Sequence, residues 1–161
     1  MSLRKHQREL AGIAKRIAGG EDITDIIVSV TPGGGKSLLP VILAHELLPA
    51  YADRICWVVP RSNLQLQGEK AFKSPVAAGL YGLKHEIRIS TGDVNPSRGM
   101  AGFITTYQAI GSNWSVIAQD FLRYRYSLFL DEPHHVTAES SWAKALQPLI
   151  DRAQLRIYGA P

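Results

Sequence analysis

The chain has 161 residues, enough for one domain with a real core, and 45% of them are hydrophobic, which excludes a disordered segment. A formal charge of +4 and a pI near 9.3 lean mildly toward polyanionic partners without singling one out. A lone cysteine, Cys56, excludes an internal disulfide, and the longest apolar run, residues 38–44, is far short of the ~20 that span a bilayer, so the expected setting is reducing and cytoplasmic.

Apolar runs rich in β-branched residues alternate with helical patterns along the whole chain. Residues 3–17 place Leu3, Leu10, Ile13, Ala14 and Ile17 on one helical face, which stops at Gly19-Gly20. Residues 25–30 read as a strand buried on both faces. Residues 36–48 are apolar on nearly all sides and read as a buried helix, with Pro40 near its start. Residues 54–59 read as a second buried strand, with Cys56 an inert strand residue. A helix over 62–72 follows, with Ser62 as its N-cap. Then come a short strand at 86–90, a turn-rich loop at 92–99, a strand at 102–105, a helix at 114–122 and a strand at 126–130. A helix over 138–150 and a strand over 155–158 close the series. Short continuous hydrophobic strands separated by helices predict an α/β fold with a parallel sheet covered on both faces. Ligands of such sheets bind at the carboxyl ends of the strands.

Two stretches fall at such ends. Thr31-Pro32-Gly33-Gly34-Gly35-Lys36-Ser37 lies between a predicted strand and a predicted helix, the context of a phosphate-binding loop. Glycines let the backbone turn its N–H groups toward an anion, and the helix N-terminus points the same way. Lys36 can reach the β- and γ-phosphates of a nucleotide, and Ser37 can ligate Mg²⁺. Val30 stands where the strict pattern asks for glycine, which argues against most P-loop kinases and small GTPases. The second stretch is Leu128-Phe129-Leu130-Asp131-Glu132-Pro133-His134-His135, a hydrophobic strand ending in two acids. This is the Walker B arrangement, with Asp131 toward Mg²⁺ and Glu132 polarising the attacking water. Two buried carboxylates need a metal or a cation beside them. No Cys or His lies at ligand spacing from the histidines, so zinc is not expected.

The sequence here resembles superfamily 2 helicases, the DExD/H-box group, and specifically their first RecA-like domain. Asp131-Glu132-Pro133-His134 is similar to motif II, and Val30 to Ser37 to motif I, in a version close to that of RecQ-like helicases. Leu3-Arg4-Lys5-His6-Gln7 resembles the upstream L-R-x-x-Q element of helicases related to restriction translocases and phage recombination helicases. Val58-Val59-Pro60-Arg61, continuing through Leu64 to Gln67, resembles motif Ia. Ile104-Thr105-Thr106-Tyr107-Gln108 resembles motif Ic, and Tyr158-Gly159-Ala160-Pro161 the start of motif III. A contact at Thr91-Gly92 is a weaker match. Pro32, Val30 and Pro133 depart from the usual residues.

The resemblance implies a three-layer RecA-like P-loop domain over residues 1–161, with a second RecA-like domain lying outside this chain. It implies ATP and Mg²⁺ as cofactors. Gly33, Gly34, Gly35, Lys36 and Ser37 would hold the phosphates, Gln7 would select adenine, and Ser37 and Asp131 would hold the metal. Glu132, Lys36 and Asp131 would be catalytic, and His134 would couple ATP state to the second domain. Arg61 and Thr106 would contact a nucleic-acid backbone, DNA in preference to RNA. The expected function is the ATP-binding domain of a nucleic-acid-dependent ATPase, a helicase or translocase. Family members place arginines of the second domain on the nucleotide, so this chain alone is expected to hydrolyse ATP poorly. A P-loop ATPase or kinase acting on other substrates is the alternative, though it leaves the Pro60-Arg61 and Thr106-Tyr107-Gln108 stretches without a role. A third reading, a non-catalytic binding module, sits badly with intact Lys36, Asp131 and Glu132.

Overall fold

Strand residues that alternate between two apolar faces demand cover on both, and the computed structural model supplies it. The structure describes residues 3–29, 35–82, 85–90, 94–133 and 141–160. Six parallel strands, β1 (Asp25–Ser29), β2 (Arg54–Val59), β3 (Ile87–Ile89), β4 (Gly102–Thr106), β5 (Tyr126–Asp131) and β6 (Leu155–Ala160), form one sheet in the order β1-β6-β5-β2-β4-β3. The helices are α1 (Lys5–Ala18), α2 (Leu39–Leu47), α3 (Asn63–Phe72), α4 (Pro75–Tyr81), α5 (Tyr107–Arg123) and α6 (Ser141–Arg152). Ile55, Trp57 and Val59 of β2 join Phe129 of β5 in a core roofed by residues of α1 and α2. Cys56 and Val58 join Leu128 and Leu130 in a second core on the opposite face, roofed by α5 and α6. This is the layered α/β architecture expected from the strand–helix alternation. Among the described residues, no helix is long and apolar enough to cross a membrane.

The helix predicted over 36–48 is a 3-10 turn (Lys36–Leu38) running into α2, and Leu39, Val41, Ile42 and Leu43 are all fully buried. Pro40 sits in the first turn of α2, where its missing N–H breaks no helical bond.

Four expectations need correction. β1 is an edge strand rather than one buried on both faces: Ile26 is buried, whereas Ile27 is 78% exposed. It points to the face of α5 and α6, which cover the central strands and not this edge. Ser62 makes no side-chain cap bond, because the turn after Pro60 is already helical, with Leu64 N–H donating to Arg61 O and Gln65 N–H to Ser62 O. The helix predicted over 114–122 is present as the part of α5 beyond a kink at Asn113, and what the pattern misses is the part before it, which begins at Tyr107 and is capped by Thr106. Helix α4 was not anticipated; Ser74 caps it by accepting from Ala77 N–H. Residues 138–140 of the last predicted helix lie outside the described residues.

Candidate active site

The sheet brings three chain segments together at its carboxyl edge. β6 lies between β1 and β5, so the end of β1 and the acidic end of β5 flank the end of β6. Lys36 Nζ and Asp131 Oδ1 meet at 2.6 Å, with the two side chains only 24% and 13% exposed. Gly159 on β6 makes room for the pair: a Cβ there would lie 3.3 Å from Lys36 Cε and 3.4 Å from Asp131 Oδ1. The cation beside the buried Asp131 carboxylate is therefore Lys36.

Asp131 remains electrostatically costly. Burial raises its pKa above the ordinary carboxylate value, Lys36 lowers it, and the neighbouring Glu132 charge raises it again, with a net upward shift. Glu132 occupies the left-handed region at φ 49°, unusual for a residue with a side chain. Its N–H donates to Gly159 O at 2.9 Å, and Tyr107 Oη donates to Asp131 O at 2.8 Å. Sequence reading named neither Tyr107 nor Gly159 as a site residue. Both stand inside segments matched to motifs, but nothing in residue type reveals a hydrogen bond across strands.

Lys36 and Ser37 open the helix that follows the phosphate loop, and Ser37 is exposed. Gly35 before them adopts φ 80°, which favours glycine, and a Cβ on it would lie 2.6 Å from Gln7 Nε2 and displace the end of that side chain. Gln7, buried on α1, donates from Nε2 to Gly35 O at 3.1 Å and accepts Arg4 N–H on Oε1 at 2.9 Å. Arg4, Gln7, Gly35, Ser37, Ala71 and Val76 line a cavity of about 300 Å³ beside the loop. Arg4 is a further cavity residue that sequence reading did not single out.

Oxygen donors suit a hard cation such as Mg²⁺. The Asp131 carboxylate and the Ser37 hydroxyl are the residue types that could offer them, and Asp131, raised in pKa mainly by burial, is a carboxylate that a second cation would relieve. Exposed Arg61 follows β2 at the same edge, and Thr106 ends β4 there. The Thr106 hydroxyl accepts Ala109 N–H at 3.1 Å, so it caps α5. Gly33, Gly34, His134 and the Thr91-Gly92 pair, together with Val30, Pro32 and Pro161, lie outside the described residues.

Comparison with known proteins agrees with this layout. The family described as "Type III restriction enzyme, res subunit" matches residues 1–159. Among solved structures, the chain is similar to the UvsW helicase from bacteriophage T4 at a TM-score of 0.68 and 17% identity, covering 99% of this chain and 52% of that one. It is similar to the Hef helicase domain of Pyrococcus furiosus at a TM-score of 0.65 and 17% identity, covering 98% of this chain and 32% of that one. At such identity the likeness is one of fold, and the chain spans about half of the first protein and a third of the second. No curated protein matches significantly.

Proposed function

Because the chain belongs to the type III restriction enzyme res subunit family, and so to the ATP-binding RecA-like domains of superfamily 2, we propose that its parent protein is a nucleic-acid-dependent ATPase. The motor is a helicase or translocase that couples ATP hydrolysis to movement on nucleic acid. The observation that carries this reading is the Lys36–Asp131 pair, 2.6 Å apart at the sheet's carboxyl edge, with Glu132 beside it.

Each residue then has a task. Lys36, which pairs with Asp131 here, would offer its ammonium to the β- and γ-phosphates of a bound nucleotide. Asp131 and Ser37 would hold Mg²⁺, which neutralises phosphate charge when bound. Glu132 would accept a proton from the attacking water. Gly33 and Gly34 would complete the phosphate cradle with Gly35. Gln7 would read the adenine edge from the wall of the cavity. Its two intramolecular bonds each use half of that end's capacity, so a donor and an acceptor remain for the base. Asp131-Glu132-Pro133-His134 is read as a DEAH-type variant, with His134 relaying ATP state to a second RecA-like domain. Arginines of that domain are worth roughly 10³–10⁵ in rate, so this chain alone turns over slowly.

Arg61 and Thr106 would grip the phosphate backbone. DNA is favoured over RNA, since the family carries the name of a restriction enzyme. The buried thiol of Cys56 fits a reducing, cytoplasmic setting. The direct test is Lys36→Ala in the full-length protein, assayed for DNA-stimulated ATPase. Stimulated turnover is expected to disappear; unchanged stimulation would sink the assignment.

A further inference from the structure

The peptide unit joining Asp131 to Glu132 is held at both ends. Its N–H, on Glu132, donates to Gly159 O and extends the β5–β6 ladder by one bond. Its carbonyl, on Asp131, faces the opposite way, toward β2. Val58 stands opposite Leu130, so a continued parallel ladder would bring the N–H of residue 60 to that carbonyl. Residue 60 is Pro60, which has no N–H. The Tyr107 hydroxyl donates there instead, at 2.8 Å.

Tyr107 follows Thr106 directly and opens α5. Since β2 separates β4 from β5, its ring reaches past one strand to the acidic turn. The ring is 3% exposed, so no bulk water competes for the bond. Rotation of the clamped peptide would change φ of Glu132. Glu132 holds a left-handed conformation that is costly for a residue with a side chain and persists only where its surroundings fix it.

We propose that Tyr107 is a positioning residue: its hydroxyl fixes the Asp131–Glu132 peptide and ties the orientation of Glu132 to the Thr106 turn, so that nucleic acid held at that turn accelerates hydrolysis. This rests on the functional reading above.

The test is Tyr107→Phe in the full-length protein, which keeps the buried ring and deletes one hydroxyl. ATPase is measured without nucleic acid and with single-stranded DNA, duplex DNA and single-stranded RNA in turn. The DNA-stimulated kcat is expected to fall about 10²-fold, the lower end of what a positioned general base supplies. The ratio of stimulated to unstimulated rate falls with it, whereas KM for ATP and the affinity for a fluorescent ATP analogue stay near wild type. A preserved ratio overturns the proposal. A wild-type protein that no nucleic acid stimulates defeats the functional reading itself, whereas a stimulated wild type with an equally stimulated variant defeats only the coupling. Hydrogen exchange on the wild-type protein supplies a measurement that needs no variant. The stimulating nucleic acid should slow exchange at residues 106–111 and at 131–132 together, and a response confined to 106–111 counts against the coupling.

Discussion

Asp131 carries the electrostatic cost of the site. Its carboxyl holds a proton to higher pH in the folded chain than in the unfolded one, because burial outweighs the help from Lys36. Folding stability attributable to this group therefore falls as pH rises from the ordinary carboxylate value through the raised one. Asparagine resembles the protonated acid in size and charge. Without nucleotide, Asp131→Asn is expected to melt higher than wild type at neutral pH, and the difference should shrink toward acid pH. In the presence of Mg²⁺ and ATP the order should reverse, since the variant loses the carboxylate that would face the metal. Thermal melts at two pH values, with and without Mg²⁺-ATP, decide it. A variant that melts lower at neutral pH would mean that the Lys36 pairing dominates after all.

At the scale of elements, the closeness of α3 to the sheet matters most for the cavity. α3 ends at Phe72, just before the cavity residues Ser74 and Val76 at the start of α4. Its Gly68 is buried, and a Cβ there would come within 2.4 Å of Ile104 Cδ1 and 2.7 Å of the Trp57 ring. Gly68→Ala must push the helix outward or displace both side chains, an overpacking of about 1–3 kcal/mol. Denaturant unfolding should show this loss, accompanied by weaker binding of a fluorescent ATP analogue. Unchanged stability would mean that α3 shifts without strain. Helix α5 shows the limits of local pattern. Gly111 and Asn113 look like breakers, and Asn113 does leave helical φ/ψ, so α5 is two helical pieces joined at a kink; the first, started at Tyr107 by the Thr106 cap, is the piece that the apolar spacing does not reveal.

At the scale of the molecule, every strand points its carboxyl end to one edge, so the residues proposed for nucleotide and those proposed for the nucleic-acid backbone share it. A formal charge of +4 is a weak attractant on its own; placement of cations on that edge is what would matter. Arg61, exposed just beyond β2, is the cation to test. Arg61→Ala in the full-length protein is expected to weaken DNA binding about equally for all sequences and to reduce the slope of log affinity against log salt by about 1. An unchanged slope would remove Arg61 from the interface.

The sequence by itself determined the fold class and the order of the strands along the chain, and it marked the candidate chemical residues. Hydrophobic runs report burial on two faces, and Lys36, Ser37, Asp131 and Glu132 are chemically recognisable wherever they stand. Only the tertiary structure decided which strand is an edge, and hence that Ile27 is exposed while the like residues of β2 and β5 are buried. It also decided that Lys36 and Asp131 meet over Gly159, that Gln7 touches Gly35, and that Tyr107 supplies the donor Pro60 lacks. These are contacts between residues far apart in the chain. Strand order and register create them, and neither periodicity nor residue type encodes strand order.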